Sequence, residues 1–484
     1  MPLPNQPPGP GQPPQRPSGQ PAGGAQPQQR PSGQPAAGPQ RPTPGTPIPP
    51  RPAGQPGTGT PGQQRLPGQP GQSAPRVQLE QLDVQTLSKE KIRDLFRSGN
   101  LPTAEQIVDE LIWRATKIGA NDIHFESLEG QLRIRIGHEG VLKRIVSLPP
   151  DLTENILSIL KTKTSLNQFE KRKPQEGRYS ASYHGDQYDF RISTIPVLNG
   201  ERALLRILKK TTQVQQLEEL GFTDVILERI RTLLRQPKGL LLVTGPSGSG
   251  KTTTVYAATN AVETPEKCII TVEDPVEYRL PFASQVQLPA DKSFNFVDAL
   301  RAILRQNPNA ILIGEIRDAE TGTVAAEAAV TGNLVLSTML ADNSIGSIHR
   351  LLNIGLKPYW LSATLVGVIY QQLMRKVCTS CKEEYKPSDV EVELISPFLP
   401  KSDLNFSFGR GCQDCGNSGY LGRTAICEII SATDRLRDLI LKQSTILEMH
   451  DEALKNGFED IRFDAARKVA AGISTISEFI RVLG

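Results

Sequence analysis

No stretch of this 484-residue sequence approaches the roughly 18 consecutive apolar residues that a membrane-spanning helix requires. Its first residues also lack the basic-then-apolar pattern of a secretory leader. The nearest apolar run, Tyr359 to Tyr370, is too short, follows Lys357-Pro358 and reads as a buried helix. Cysteine is scarce, and six residues in a chain of this length, with no leader, exclude a disulfide-built scaffold. These absences point to a cytosolic protein. Excess charge is missing as well, the net being +4. Residues 1–76 contain six arginines and no acid, and the remainder balances 49 basic against 51 acidic side chains. A broad basic face for nucleic acid is therefore not indicated, and only a local patch is left open.

Large apolar residues are almost absent from 1–76, which instead hold 24 of the 40 prolines. Gln15-Arg-Pro-Ser-Gly-Gln-Pro-Ala22 recurs as Gln29-Arg-Pro-Ser-Gly-Gln-Pro-Ala36. A segment of this composition cannot bury enough surface to offset its conformational entropy, so a disordered tail with polyproline II character is expected. Two readings fit it: an arm that docks on a proline-binding module or an acidic surface, and a plain spacer.

What is present begins with Gly245-Pro-Ser-Gly-Ser-Gly-Lys251-Thr252. This run fits G-x-x-x-x-G-K-[ST], a loop whose glycines let backbone amides converge on phosphate oxygens. Gly245, Pro246, Ser247, Gly248, Ser249 and Gly250 form the loop. Lys251 supplies a point charge for the β- and γ-phosphates, Thr252 a hydroxyl for Mg²⁺, and Thr253 the next turn. Gly239 to Thr244 reads as a buried strand and Thr253 to Val262 as a helix whose N-terminus favours anions. The strand–loop–helix setting argues against a chance glycine-rich turn and for binding of a nucleoside triphosphate, ATP with Mg²⁺.

Around this motif the sequence alternates strand and helix. Thr103 and Gln106 stand at capping-box spacing, followed by an apolar face of Ile107, Val108, Leu111, Ile112, Ala115 and Ile118. Leu132, Ile134 and Ile136 alternate with Arg133 and Arg135 as in a half-buried strand. Apolar runs at Cys268–Val272, Ala310–Ile313 and Leu334–Ser337, separated by helical stretches, imply a mostly parallel sheet. Two acidic clusters fall at strand ends, one with Glu273, Asp274 and Glu277, the other with Glu315 and Asp318. In a parallel sheet these ends lie beside the phosphate loop, where a carboxylate can hold Mg²⁺ through water or orient an attacking water. A helix cap is the plainer role, and Asp318 suits it.

Cys378-Thr-Ser-Cys381 and Cys412-Gln-Asp-Cys415 form two C-x₂-C pairs 30 residues apart. Four thiolates complete a closed tetrahedral Zn²⁺ shell, a structural rather than catalytic arrangement. Reduced buried cysteines and redox pairs are the alternatives. Cys268 and Cys427 sit in apolar runs and read as core.

Taken together, residues 100–484 resemble the secretion ATPases of type II secretion and type IV pilus assembly, the GspE/PilB family. Ala120-Asn-Asp122-Ile-His124-Phe-Glu126 looks like the family's A-S-D-I-H-x-E. Pro174-Gln-Glu-Gly-Arg178, Asp189-Phe-Arg191 and Gly200-Glu-Arg202 are similar to further parts of its N-terminal domain. Thr271–Tyr278 matches the Asp box and Gly314–Asp318 the Walker B region, while the four cysteines with Arg423 and Glu428 match the zinc-bearing segment.

The resemblance implies an α/β chain: a disordered tail (1–76), a linker (77–100), a PAS-like domain (101–212), a RecA-like ATPase core (213–375), a zinc segment (376–430) and a helical end (431–484). It implies Lys251 and Thr252 for phosphates and Mg²⁺, Glu315 polarising water, and Glu273 near that water. Arg191 and Arg206 would reach the nucleotide from the N-terminal domain, with Arg301, Arg305 and Arg317 around a subunit boundary. Arginine suits such a place because its planar fork binds phosphate oxygens and stays charged. Also implied are a homo-hexamer, a position in the cytoplasm at the face of the inner membrane, a membrane platform protein as partner, and no direct nucleic-acid ligand.

Departures from the family pattern are equally specific. Where the family's His box reads T-G-H-L-V-L-S-T-L-H-T-N, this chain has Asn333 and Leu340 in place of the two histidines. The usual Asp-Pro-Asp is Asn307-Pro308-Asn309, and Gln372 replaces an arginine. The usual R-x-R-x-D-G becomes Arg133-Ile-Arg135-Ile-Gly-His-Glu139-Gly140, two residues longer. Three expectations follow: a slow ATPase motor, a nucleotide-binding scaffold that does not hydrolyse, and, from another class, a nucleic-acid motor, against which the slightly acidic body argues.

Overall fold

Thr103 opens the first helix, α1 (Ala104–Lys117), through a capping box: its hydroxyl accepts from the Gln106 amide and the Gln106 side chain accepts from its own amide. The structure is a computed structural model that describes residues 102–210, 214–289, 293–399 and 406–484. The tail and linker expected over 1–100 lie outside the described residues. Five of the six apolar residues expected on one face of α1 are buried, while Ile118 caps the helix and is 50% exposed.

Six strands and one further helix follow: β1 (Asp122–Leu128), β2 (Gln131–His138), β3 (Val141–Leu148), α2 (Thr153–Lys163), β4 (Gln175–Tyr183), β5 (Asp186–Val197) and β6 (Gly200–Lys209). The strands form an antiparallel sheet in the order β3-β2-β1-β6-β5-β4. Because side chains alternate along each strand, one face carries Ile123, Phe125, Ile134, Phe190 and Leu205 into the core with α1 and α2. The other face carries His124, Glu126, Arg133, Arg135, Arg191, Arg202 and Arg206. Glu126 is buried there and pairs with Arg133, Arg135 and Arg202.

The second α/β body begins with α3 (Asp224–Leu234), β7 (Gly239–Thr244), α4 (Lys251–Ala261), β8 (Ile269–Glu273) and β9 (Ser284–Gln287). It continues with α5 (Phe296–Ile303), β10 (Ala310–Ile313), α6 (Ala319–Val330), β11 (Leu334–Met339), α7 (Ser344–Asn353), α8 (Pro358–Thr364) and β12 (Leu365–Val377). After the excursion β13 (Lys382–Tyr385), α9 (Asp389–Ile395) and β14 (Phe406–Gly409), the chain returns as β15 (Tyr420–Ser431). The central sheet runs β15-β12-β7-β11-β10-β8-β9, parallel throughout except for the antiparallel β12–β15 pair. Every residue of β7, β8, β10 and β11 is buried, as strands covered on both faces must be. This is the α/β, RecA-like arrangement expected around the phosphate loop. Four helices close the chain: α10 (Asp434–Leu441), α11 (Ile446–Lys455), α12 (Ile461–Ala470) and α13 (Ile476–Leu483).

Two sequence readings are corrected here. The run Tyr359–Tyr370 is not one buried helix, because α8 stops at Thr364 and β12 takes over at Leu365. The β-branched Val366, Val368 and Ile369 favour the strand. Gly367 lets β15 approach, since a Cβ there would stand 2.6 Å from the Ile430 carbonyl oxygen. Cys268 is exposed rather than core, lying just before β8 with its amide on the Asn309 side chain (2.7 Å), whereas Cys427 is buried.

Candidate functional site

The C-terminal ends of β7, β8, β10 and β11 open on a cleft of about 1340 Å³. Its wall on one side is the phosphate loop. Gly245 follows β7 at φ +148, and a Cβ there would stand 2.2 Å from the Gln371 carbonyl oxygen, so glycine alone fits. Gly248 and Gly250 take left-handed conformations, φ +76 and +86, that turn the backbone around the loop and into α4. Ser247, Gly248, Gly250, Lys251, Thr252 and Thr253 line the cleft, while Gly245, Pro246 and Ser249 belong to the loop without lining it. The Lys251 ammonium donates to the carbonyls of Gly245 (3.1 Å) and Pro246 (2.8 Å). Burial lowers its pKa, partly offset by the charge of Glu315. A desolvated cation among backbone amides at a helix N-terminus fits a polyphosphate.

Both acidic clusters reach this cleft. Glu315 follows β10, 26% exposed, and its carboxylate pairs with Arg317 at 3.1 Å. The Thr338 hydroxyl at the end of β11 donates to the Gly314 carbonyl (2.7 Å), tying the two strand ends together. Glu273 ends β8 and is buried, accepting from Tyr256, from Thr271 (2.6 Å) and from Gln285 (3.2 Å). Burial raises its pKa against the pull of those bonds. Asp318 caps α6 on the Thr321 amide (2.8 Å), the plainer of its two expected roles.

From the N-terminal sheet, Arg191 and Arg206 face the same cleft from adjacent positions of β5 and β6. Arg191 pairs across it with Glu277 (3.1 Å), and Arg206 with Asp122 of its own sheet (2.9 Å). Arg301 is on α5, paired with Glu320 at 3.5 Å. Neither Arg301 nor Arg305 is among the residues that line the cleft.

The two residues that replace histidines lie apart. Leu340 follows β11 and lines the cleft, 36% exposed. Asn333 precedes β11, about 20 Å away along a six-residue strand, where its side chain donates to the Ala328 carbonyl at 2.8 Å. Asn309 is also at that far end and serves the Cys268 amide. These asparagines close turns beneath the sheet, so of the departures around β10 and β11 only Leu340 changes the cleft.

The four predicted cysteines converge. Their sulfur atoms lie within 4.8 Å of one another, with separations of 3.8 Å (Cys378–Cys412), 3.9 Å (Cys381–Cys415) and 3.7 Å (Cys412–Cys415). A tetrahedral Zn–S₄ shell with bonds near 2.3 Å sets sulfurs about 3.8 Å apart. The amides of Gly411, Cys412 and Gly419 point at these sulfurs from 3.2–3.3 Å. The group fits zinc in separation, burial and donor type.

Sequence reasoning passed over Gln371. It is 1% exposed in β12, accepts from the Thr254 hydroxyl (2.7 Å) and donates to the Ser249 carbonyl (2.7 Å), bracing the phosphate loop and α4 together. The available signal was an amide directly after the apolar run Leu365–Tyr370. Tyr256 was missed too, and its hydroxyl joins α4 to Glu273 and accepts from the Glu277 amide (3.3 Å).

Residues 98–481 match the family model described as Type II/IV secretion system protein. The chain is 38% identical over 403 residues to type II secretion system protein E of Pseudomonas aeruginosa, covering 83% of this chain and 80% of that protein. It is 37% identical over 380 residues to type IV pilus assembly ATPase PilB of Thermus thermophilus, covering 78% of this chain and 42% of that longer protein. Among solved structures, the pilus retraction motor PilT with bound ADP superposes with a TM-score of 0.51 at 26% identity, over 77% of this chain and 95% of that one.

Proposed function

The chain belongs to the type II/IV secretion system protein family, and from that premise we propose that it binds and hydrolyses ATP to drive secretion or pilus assembly at the bacterial inner membrane. Its relatives include ATPases of those machines. The observation that carries the reading is the convergence of Lys251, Thr252 and Glu315 on one cleft at the ends of parallel strands.

In this reading Lys251 and the loop amides hold the β- and γ-phosphates. Thr252 and Glu315 would hold Mg²⁺, which would neutralise phosphate charge, and Glu315 would orient water. Glu273, fixed by three donors, sets the Asp-box loop against α4. Arg191 and Arg206 bring charge from the N-terminal sheet. The functional unit is a homo-hexamer working against a membrane platform protein, with zinc on Cys378, Cys381, Cys412 and Cys415 as a structural clasp. No helix among the described residues is long and apolar enough to cross a membrane.

Leu340 favours a second reading, a nucleotide-binding subunit that scaffolds another motor. Steady-state hydrolysis by the purified chain separates the two, with Glu315→Gln as the control for contaminating activity. Turnover that depends on Glu315 supports the motor. Saturable ATP binding without such turnover, restored by Leu340→His, supports the scaffold.

A further inference from the structure

A buried carboxylate on β15 joins the phosphate end of the cleft to the C-terminal helices. Glu428 is 4% exposed. One of its oxygens accepts from both the amide and the hydroxyl of Ser344, each at 2.7 Å. The other accepts from the amide of Ile461 at 3.1 Å. Ser344 and Ile461 are the first residues of α7 and α12. Their amides belong to first turns, which have no intrahelical acceptor, so one anion serves the positive ends of two helices.

The α7 end of this link is part of the cleft. The loop Leu340–Asn343 leads directly from the cleft wall into α7, and Asn343 caps α7 on the Gly346 amide (2.6 Å). One turn further on, the Ser347 hydroxyl donates to the Thr244 hydroxyl (2.9 Å), immediately before the phosphate loop. The α12 end is equally fixed. Asp464 accepts from the Cys427 amide (3.0 Å) and pairs with the buried Lys468 (3.4 Å), whose ammonium donates to the Ala425 carbonyl. Displacement of either helix end lengthens the bonds to the shared carboxylate and transfers the displacement to the other.

We propose that Glu428 is a positioning residue that passes the nucleotide state of the Leu340–Asn343 loop to the C-terminal helix α12. The inference rests on the nucleotide reading of the cleft but not on hydrolysis. It is tested by hydrogen–deuterium exchange of the full chain, comparing ADP with the non-hydrolysable analogue AMP-PNP, with affinities measured separately. In the unaltered protein, amides of α12 are expected to exchange several-fold more slowly with AMP-PNP than with ADP. In Glu428→Gln, whose amide group faces donors, AMP-PNP affinity should stay within about twofold while the difference disappears. Val469→Ala, a buried truncation in α12 away from the carboxylate, should keep it.

The proposal is overturned if the unaltered chain binds AMP-PNP with no change in α12, if the difference survives in Glu428→Gln, or if Val469→Ala also abolishes it. Failure of the unaltered chain to bind either nucleotide would overturn the nucleotide reading, and the inference with it.

Discussion

Leu340 places a hydrocarbon where the cleft meets the end of β11, and it can neither donate to a phosphate nor relay charge. Restoring the imidazole with Leu340→His is expected to raise turnover, by up to about 10² if the group acts in the transition state. Asn333→His should leave turnover unchanged and lower stability by about 1–2 kcal/mol through loss of the bond to Ala328. Paired measurements of kcat and thermal midpoint check both. The sequence presented these two substitutions as members of one motif, and the fold separates them because Asn333 precedes β11 and Leu340 follows it. Gln371 was hidden for a different reason: its partners, Ser249 and Thr254, are 122 and 117 residues away. Gln371→Leu leaves both without their partner in a buried site and is expected to cost about 2 kcal/mol and weaken AMP-PNP binding, seen by calorimetry. Glu478, fully buried in the first turn of α13, is another residue whose partners are not apparent in the sequence. Burial opposes its ionisation, but Arg481 and Arg375 prevail and bring its pKa down to about 2 from an ordinary 4.5. Its contribution is therefore complete above the unfolded value and fades as pH falls from about 4.5 toward 2. Glu478→Gln should flatten that part of the acid-denaturation curve.

Elements were legible where they obey one period or lie fully buried. β7 and β10 occupy the runs Gly239–Thr244 and Ala310–Ile313 that their continuous apolar character marks, and the capping box of α1 is where the sequence puts it. The run 359–370 misled because an apolar stretch without period suits a buried helix and a buried strand alike. The two-residue extension after Arg135 becomes intelligible only in three dimensions. It lengthens the β2–β3 hairpin to a tip at Glu139-Gly140, both with positive φ (50° and 78°), as a two-residue type I′ turn requires. The Glu139 carboxylate accepts from the Gly422 amide on β15, so the hairpin ties the N-terminal sheet to the edge of the central one. Glu139→Ala is expected to speed release of a fluorescent ADP analogue several-fold in stopped flow. An unchanged rate would mean that the tip does not restrain the cleft.

At the scale of the whole molecule, the order of motifs was enough to place the family, the sheet and the phosphate loop. It could not show how the two bodies meet, since contacts such as Arg191 to Glu277 join residues 86 positions apart and leave no local pattern. Nor could it show that the segment drawn at 376–430 supplies β15, an edge strand of the central sheet. That topology gives the cysteine cluster a reach beyond its own loop. Gln371, which braces the phosphate loop, stands at the middle of β12, and Cys378, the first cysteine of the cluster, follows the last residue of that strand, seven positions on. Cys415 lies just ahead of its partner strand β15. A metal held by the four sulfurs, as proposed, would clamp the Val377–Tyr420 end of the strand pair that carries the brace. Stripping the metal with a chelator is expected to loosen AMP-PNP binding as well as to lower the thermal midpoint, and restoring Zn²⁺ should reverse both. On the readings proposed for the cleft and for the four cysteines, the supply of zinc would bear on how firmly this chain holds its nucleotide, and trace-metal scarcity or thiol oxidation would act from a point well outside the cleft.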